Sequence, residues 1–477
     1  MPAHEAGALH APGYGGFAVV PAWLTPPLEA NELLPSLWAC TVRRNEAGAL
    51  EVGGVDVREI VRQYGTPAYV LDEVDFRTRA EAFREAFHHA FADLCEGADV
   101  YYAGKAFLCT EVARWVAQDG LRLDVCSGGE LAVALRAGVP TEKIGLHGNN
   151  KSDAELERAL TTGIGRFVID SLPEIDRVAD TAARLGVQVP VLLRVTVGVE
   201  AHTHEYIATA HEDQKFGVSL SSGDANLAVQ RILARPELVL RGLHSHIGSQ
   251  IFGTDGFEVA ARRLLGLHAQ IATDYGAELP ELDLGGGFGI AYTSQHDPLE
   301  AKTLADSLAQ IIRKECRELK IDAPKISVEP GRAIAGPSTF TVYEVGTVKD
   351  VQLENSVSRR YVAVDGGMSD NIRTALYDAD YSCTLASRAS SAPPFLTRVV
   401  GKHCESGDIL VRDEFLPGDV TAGDLVAIPG TGAYCRSMAS QYNHTPRPPV
   451  IAVRNGTARV IVRRETEDDL LALDVFS

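Results

Sequence analysis

Five motifs combine residue types that do chemistry, and four of them follow a predicted strand. The first is Tyr102-Ala103-Gly104-Lys105. A lysine among apolar and small residues at a strand end can form a Schiff base, because partial burial favours its neutral, nucleophilic amine. Taken alone, Lys105 could equally be an ordinary surface lysine.

A glycine run, Gly285-Gly286-Gly287-Phe288-Gly289, lets backbone N–H groups approach an anion without hindrance from Cβ atoms. A plain glycine-rich turn explains the run equally well. Glu329-Pro330-Gly331-Arg332 adds an arginine that could hold the same anion. A lysine, an anion cradle and the Glu329 carboxylate are together what pyridoxal phosphate needs for its aldehyde, its phosphate and its ring nitrogen. An ion pair with Arg332 is the alternative for Glu329.

Histidines 244 and 246 point to the same face of a predicted strand. With His202 and His204 they could form a metal site. A metal barrel would have little use for a glycine cradle, so we predict no metal. One imidazole then stacks on the cofactor ring, and the other is a core histidine.

One cysteine differs from the other seven. Cys404-Glu405-Ser406-Gly407-Asp408 places it among charged, hydrated residues, where a thiol can serve as a general acid or simply fill space.

The elements that must position these residues are eight β-branched runs alternating with helical stretches, between about residues 66 and 335. Eight such units predict a TIM-like (β/α)8 barrel of parallel strands, with functional groups at the carboxyl ends of the strands. A Rossmann sheet is disfavoured because no GxGxxG follows the first strand. The runs begin near Val100, Leu121, Lys143, Arg166, Val191, Val239, Leu279 and Lys325.

Residues 336–477 change to alternating strands with Gly and Pro turns, which predict a mainly antiparallel β-barrel or sandwich domain. Residues 41–65 share this character and are assigned to the same domain, so the cofactor-binding barrel, 66–335, is inserted into it. Residues 1–40 are rich in Pro, Gly and Ala and predict a poorly ordered extension.

The composition excludes several classes of binding partner and of protein. Lys and Arg total 45 against 64 Asp and Glu, a net charge of −19, which disfavours nucleic acid and anionic membranes. No apolar stretch approaches the ~18 residues of a membrane span. Eight cysteines without a CxxC pair indicate neither a disulfide framework nor a zinc ribbon. We therefore expect a cytoplasmic protein.

In their order along the chain, these motifs resemble the alanine-racemase-type pyridoxal phosphate enzymes, and among them the diaminopimelate decarboxylase branch. The resemblance runs from about residue 45 to the C-terminus, with His246-Ile247-Gly248-Ser249-Gln250 and the stretch 202–217 as further matches. It implies decarboxylation of meso-2,6-diaminopimelate to L-lysine and CO2, the last step of bacterial lysine synthesis.

The resemblance also implies a set of site residues. Lys105 is the Schiff-base lysine, His246 stacks on the ring and Glu329 binds the ring nitrogen. The remaining cofactor contacts come from Ser249, Gly286, Gly287, Gly331, Arg332 and Tyr434. The substrate contacts are Arg332, Arg373, Tyr377, Glu405 and Tyr434. Cys404, the proposed acid, and Glu405 come from the partner subunit of a homodimer.

Three alternatives stay open. A sibling decarboxylase acting on ornithine, arginine or carboxynorspermidine shares the fold, although Arg373 and Glu405 suit a substrate tail carrying both a carboxylate and an amine. A cofactor-free regulatory relative and a metal-dependent hydrolase come from other classes. The polar stretch from His202 to Lys215 is the candidate lid.

Overall fold

A computed structural model describes residues 20–199, 215–352 and 358–475, and the chain divides into two compact units. Unit 1 contains the described residues up to Phe76, the segment Ile290–Asp297, and the described residues from Ala335 onward. Unit 2 contains Arg77–Gly289 and Pro298–Ile334. Within the described residues, no helix is long and apolar enough to cross a membrane.

Unit 2 is a closed barrel of eight parallel strands, which confirms the predicted TIM-like fold. The ring closes where β8 pairs with β1 through Ser327 with Asp99 and Val328 with Val100. A two-residue strand, Val218–Ser219, pairs with β5 outside the ring. The barrel strands are β1 Asp99–Ala103, β2 Arg122–Val125, β3 Ile144–Leu146, β4 Arg166–Ile169, β5 Val189–Thr196, β6 Leu238–His244, β7 Glu281–Asp283 and β8 Lys325–Val328.

Helices connect the barrel strands and bury one apolar face. The helix Leu172–Leu185 shows the pattern, since it buries Ile175, Val178, Ala179 and Ala182 at helical spacing and ends at Gly186 in the left-handed conformation. The helices flanking or connecting the strands are Glu73–Ala90, Ala92–Cys95, Thr110–Gln118, Gly128–Ala137, the 3-10 turn Thr141–Lys143, Asp153–Thr162, Leu172–Leu185, Asp224–Leu233, Asp255–Tyr275, Ala301–Leu319 and Arg332–Ala335.

The barrel interior contains a buried ion pair. Arg166 on β4 donates through Nη1 to Asp283 Oδ2 at 2.5 Å and through Nη2 to Ser327 Oγ at 3.1 Å. The guanidinium also lies 4.2 Å from the Tyr101 ring centroid. Arg166 Nη2 also donates to Glu281 Oε2 at 3.1 Å, so two carboxylates balance the buried cation, and Ser327 and the Tyr101 ring stabilise it further.

Unit 1 is β-rich, as predicted. Its main sheet is mixed: most neighbours are antiparallel, whereas Ala68–Asp72 runs parallel to Val450–Arg454 and Ser358–Val364 runs parallel to Pro394–Val400. The strands of this sheet are Ala68–Asp72, Thr339–Gln352, Ser358–Val364, Thr384–Leu385, Pro394–Val400, Ile409–Pro417, Leu425–Pro429, Val450–Arg454 and Thr457–Val462. Its helices and 3-10 turns are Val57–Tyr64, Arg373–Tyr377, Arg436–Met438, Tyr442–His444 and Glu467–Leu471.

Two segments predicted to belong to the barrel, residues 66–76 and Ile290–Asp297, belong to unit 1 instead. Residues 68–72, assigned to the barrel, pair with Thr339–Val342 in unit 1. All five are buried, and a short buried run reads the same in sequence whichever sheet it joins. In residues 41–65, the strands Arg43–Arg44, Leu50–Val52 and Val55–Asp56 form a separate three-stranded sheet, linked to the larger sheet's strands by Leu50 N donating to Ala386 O.

The N-terminal segment contributes to the core of unit 1. Leu37 and Trp38 are buried, and the Trp38 ring meets the Phe340 ring edge-on at 5.8 Å. The Asn31 side chain exchanges two hydrogen bonds with the backbone of Ser390. The described part of the predicted extension is therefore packed, because two large apolar residues stand inside a stretch whose overall composition is that of a loop. Residues 1–19 lie outside the described residues.

Replacing Trp38 with Ala tests this packing. Emptying a buried aromatic site costs about 3–5 kcal/mol, so the thermal midpoint of unit 1 should fall by several degrees. Differential scanning calorimetry measures the shift. Leu28→Ala, in the same segment but fully exposed, is the matched control and should leave the midpoint unchanged. Equal midpoints for all three proteins would contradict a core position for Trp38.

Candidate active site

A cavity of about 450 Å³ opens at the carboxyl ends of the barrel strands. Such a volume suits a small aromatic cofactor. Six of the eight barrel strands, or the loops that follow them, contribute to its wall, which contains Lys105 and Glu329 among its polar groups. The full lining is Ala103, Lys105, Asp124, Cys126, His147, Gly148, Asn149, Arg194, Phe216, His244, His246, Ile247, Gly248 and Glu329.

Lysine 105 is presented to this cavity by a tight turn after β1. Ala106 N donates to Ala103 O at 3.1 Å, and Gly104 N donates to Asp124 O at 2.9 Å. A Cβ atom at residue 104 would lie 2.8 Å from that same Asp124 oxygen, so glycine is required next to the lysine. The Lys105 side chain itself is exposed, which leaves its amine available for covalent chemistry.

Glutamate 329 directly follows β8 and has only 7% of its surface exposed. Its Oε1 lies 2.9 Å from His244 Nε2 and 3.5 Å from His147 Nε2. Burial, and then the charge of Asp124, raise the pKa of the Glu329 carboxyl. Arg332, the alternative partner considered for Glu329, donates instead to Ser249 Oγ at 2.7 Å.

Aspartate 124 is a second buried carboxylate, 2% exposed, at the end of β2. Burial, followed by the charge of Asp283, raises its pKa well above the usual value. Its Oδ1 lies 3.1 Å from His147 Nε2, although neither oxygen has an aligned hydrogen-bond donor within the described residues. Burial thus makes both carboxyl groups costly to ionise, and a cationic group of a ligand in the cavity would stabilise their charged forms.

The glycine run owes its composition largely to backbone packing. A Cβ at Gly286 would lie 2.1 Å from Glu329 O, and one at Gly285 would lie 2.4 Å from Ser245 O. Gly285 N donates to Asp283 Oδ1 and Gly286 N donates to His246 Nδ1. Two of the three amides therefore orient protein groups. Gly287, at φ +106°, has the conformation and closeness to Gly248 expected of an anion-binding turn.

Four more predicted residues lie at the same mouth of unit 2. His246 is half-buried on the cavity wall, and its Nδ1 accepts from Gly286 N at 3.2 Å, which fixes the ring. Ser249 and Arg332 are hydrogen-bonded to each other. Gly331 lies against β1, because a Cβ there would meet Ala103 O at 2.9 Å. The structure thus brings together the eight predicted residues of unit 2.

The other five predicted residues belong to unit 1. Arg373 is 5% exposed, and its Nη1 donates to the Tyr381 hydroxyl at 2.6 Å, while its guanidinium lies 4.7 Å from the Tyr292 ring centroid. No carboxylate pairs with it among the described residues. The positive charge is therefore uncompensated, which is the property of an anion receptor.

The remaining unit 1 residues are accessible. Cys404 and Glu405 are exposed in a turn that Asp408 fixes by accepting from His403 N and Met368 N. Tyr377 is also exposed. Tyr434 adopts φ +62°, a left-handed conformation that tyrosine rarely takes and that is concentrated at functional positions.

Sequence reasoning missed four polar residues of the cavity. Asp124 lies on β2, His147 and Asn149 follow β3, and Arg194 lies on β5. Each is a polar residue in or next to an apolar strand, and no spacing pattern distinguishes it. His244, expected to be a core histidine, lines the cavity and binds Glu329. The candidate lid, from His202 to Lys215, lies outside the described residues except for its last residue.

Comparisons with known proteins agree with this geometry. The family described as "Pyridoxal-dependent decarboxylase, pyridoxal binding domain" matches residues 76–336. Diaminopimelate decarboxylase of Mycobacterium tuberculosis is 54% identical over 452 residues, covering 93% of this chain and 100% of that protein. The Bacillus subtilis enzyme of the same name is 44% identical, covering 91% and 97%.

Among solved structures, diaminopimelate decarboxylase of M. jannaschii in complex with L-lysine superposes with a TM-score of 0.86 at 30% identity, covering 92% of this chain and 99% of that one. The barrel and its cavity therefore define a pyridoxal-dependent decarboxylase with pyridoxal phosphate as cofactor. Identity at this level over nearly the whole length makes the assignment narrower. The chain belongs to the diaminopimelate decarboxylase family.

The residues present fit the cofactor. Lys105 and the buried Glu329 both line the cavity. The hydrogen-bonded pair of Ser249 and Arg332 lies near the turn at Gly287. A Cβ at Gly287 would be 2.3 Å from Gly248 O, so the two loops approach as closely as backbone allows. Lys105 would hold the aldehyde, Glu329 the ring nitrogen, and Ser249, Gly287 and Arg332 the phosphate.

Substituting Gly287 with Ala should weaken cofactor binding at least about tenfold, because the left-handed turn and the contact with Gly248 must both be distorted. Titration of the cofactor-free protein with pyridoxal phosphate, followed by absorbance, measures the dissociation constant. Gly253→Ala is the control, since a Cβ there meets nothing within 4 Å. Similar losses in both variants would contradict a specific cradle at Gly287.

Proposed function

We propose that this protein decarboxylates meso-2,6-diaminopimelate to L-lysine and CO2, with pyridoxal phosphate bound at Lys105. The observation that carries the proposal is the joint presence of Lys105 and the buried Glu329 in one barrel cavity, together with an uncompensated Arg373 in unit 1. The relatives at 44% and 54% identity, and the M. jannaschii relative crystallised with L-lysine, support this substrate.

Each cavity residue has a distinct part in the reaction. The Lys105 amine would hold the cofactor through its aldehyde and lies where the α-amine of the substrate must also bind. The Glu329 carboxylate holds a proton on the ring nitrogen, and the His246 ring limits how far the bound group can tilt. When bound, pyridoxal phosphate accepts the electron pair left on the α-carbon as CO2 departs.

Substrate selection depends on the far end of the molecule. Meso-diaminopimelate carries a second carboxylate and a second ammonium, which ornithine and arginine do not combine. The buried, carboxylate-free environment of Arg373 suits that distal carboxylate. Arg332, Tyr377 and Tyr434 are the further proposed contacts, and Glu405 would pair with the distal ammonium.

Cys404 is the proposed acid that returns a proton to the α-carbon, and we place it, with Glu405, on the partner subunit of a homodimer. In a single chain the Cys404 thiol is exposed, whereas an acid that protonates the α-carbon must work in a site closed to water. This supports a site in which a second subunit covers Cys404. A cytoplasmic location is proposed on separate grounds: all eight cysteines, each within the described residues, are free thiols.

A parallel substrate assay tests the proposal. The protein with added pyridoxal phosphate is offered meso-diaminopimelate, LL-diaminopimelate, ornithine and arginine, and both CO2 and the amine product are measured. We expect lysine from the meso isomer alone, because only that substrate satisfies Arg373 and Glu405 in the required stereochemistry. Lys105→Ala is the control, and should form no product. Turnover of ornithine or arginine instead would overturn the substrate assignment.

For Cys404→Ala, turnover should fall by about 10²–10⁴, the range typical of a lost general acid, while cofactor absorbance is retained. Steady-state kinetics with meso-diaminopimelate and a spectrum of the loaded protein provide the two measurements. Cys95→Ala, a half-buried thiol on the barrel, is the matched control. An unchanged rate would remove Cys404 from the mechanism.

The shared site has its own test. Inactive Lys105→Ala and Cys404→Ala proteins are mixed and their subunits exchanged. Random pairing makes half of the dimers mixed, each with one intact site, so about a quarter of the activity should return. Failure to recover activity despite exchange, shown by mass spectrometry, would place both residues in one subunit.

A further inference from the structure

The histidine pair beside Glu329 has no part in the chemistry above, yet both rings are among the least exposed groups of the cavity. His244 is 1% exposed and His147 is 6% exposed. Their rings meet edge-to-face, with centroids 5.1 Å apart and planes at 64°. Both Nε2 atoms approach the same carboxylate oxygen, Glu329 Oε1, at 2.9 and 3.5 Å.

The protonation of His244 follows from its surroundings. Burial lowers the pKa of its imidazole well below the usual value, so the ring is neutral and carries one N–H. Within the described residues, its Nδ1 makes no hydrogen bond, whereas its Nε2 faces a carboxylate oxygen. The proton therefore belongs on Nε2, which donates to Glu329 Oε1.

His147 occupies the space between the two carboxylates. Its Nε2 lies 3.1 Å from Asp124 Oδ1 and 3.5 Å from Glu329 Oε1, and burial lowers its pKa to about 4. A neutral ring at this point separates the two carboxyl groups and places no positive charge beside Glu329.

A neutral donor has an advantage over a cationic one here. An arginine or lysine on Oε1 would orient the carboxylate but would also neutralise it, weakening its attraction for a protonated ring nitrogen. An imidazole N–H orients the same group and leaves the full negative charge. Because both imidazole contacts converge on Oε1, Oε2 is the oxygen left for the ligand.

We propose that His244, supported by His147, is a positioning residue that holds Glu329 in one orientation, so that its second oxygen binds and keeps protonated the ring nitrogen of the cofactor. This inference rests on the proposed function, because it presumes that pyridoxal phosphate binds with its nitrogen at Glu329. It assigns a purpose to the one buried histidine pair of the cavity wall that the reaction itself does not use.

The test uses two variants of equal polarity. In His244→Gln the amide N–H can reach the position of Nε2, whereas in His244→Asn it reaches only that of Nδ1. Dissociation constants are measured on the cofactor-free protein for pyridoxal phosphate and for its 1-deaza analogue, in which a C–H replaces the ring nitrogen. No catalytic turnover enters the measurement.

We expect His244→Asn to weaken binding of pyridoxal phosphate about tenfold or more, the size of a lost hydrogen bond to a charged group, and to leave the analogue's affinity within about twofold. His244→Gln should restore the affinity for pyridoxal phosphate. His268→Gln, at another buried histidine of the barrel unit on helix Asp255–Tyr275, is the matched control and should change neither constant.

Equal weakening for both ligands would show that His244 only packs the cavity and would overturn the inference, as would a Gln variant no better than Asn. If the His244 variants do not fold, the same Gln and Asn pair is made at His147, whose Nε2 lies 3.5 Å from Glu329 Oε1 without an aligned hydrogen bond, and a smaller loss, again confined to pyridoxal phosphate, is expected for the Asn variant. Absence of pyridoxal phosphate binding by the unaltered protein would instead overturn the proposed function, so the two failures are distinguishable.

Discussion

The buried carboxylate of Asp283 is the group on which the barrel and the site both depend. Its Oδ2 accepts from Arg166 and Ser327 inside the barrel, and its Oδ1 accepts from Gly285 N at the mouth. Gly285 O in turn accepts from Glu329 N. One side chain thus joins the charged interior to the glycine run and to the cofactor's proposed carboxylate. Because protein interiors are close-packed, a displacement of Asp283 would also displace Gly285 and Glu329.

Above that layer, the site is organised by the neutral groups that surround its charges. Glu329 and Asp124 are held among imidazoles, and Arg373 in unit 1 among phenols. A charged partner would bind each of these groups more strongly but would also neutralise its charge. With neutral partners, burying the charge costs the protein more free energy. The charge then remains available to attract a ligand. Both units therefore surround their charged site residues with neutral side chains: two carboxyl groups in unit 2 and the Arg373 guanidinium in unit 1.

The sequence predicted the barrel well, because its eight strands are apolar runs separated by long amphipathic helices, a pattern that few folds share. It also identified Lys105, Glu329 and the glycine run by position after a strand. It could not assign Ala68–Asp72 to the correct sheet, since its partners lie far along the chain. His147 and Arg194 were missed because a single polar residue carries no spacing signal; only the closed ring brings β3 and β5 to one mouth.

The path of the chain through the two units has a consequence for biosynthesis. Strand Ala68–Asp72 emerges from the ribosome early, but Leu71 pairs with Thr339 on one side and Ala452 on the other. The barrel can close once β8 is made, whereas the N-terminal strand stays without both neighbours until nearly the whole chain exists. Its apolar residues therefore stay without their native partners for most of translation, longer than those of any barrel strand.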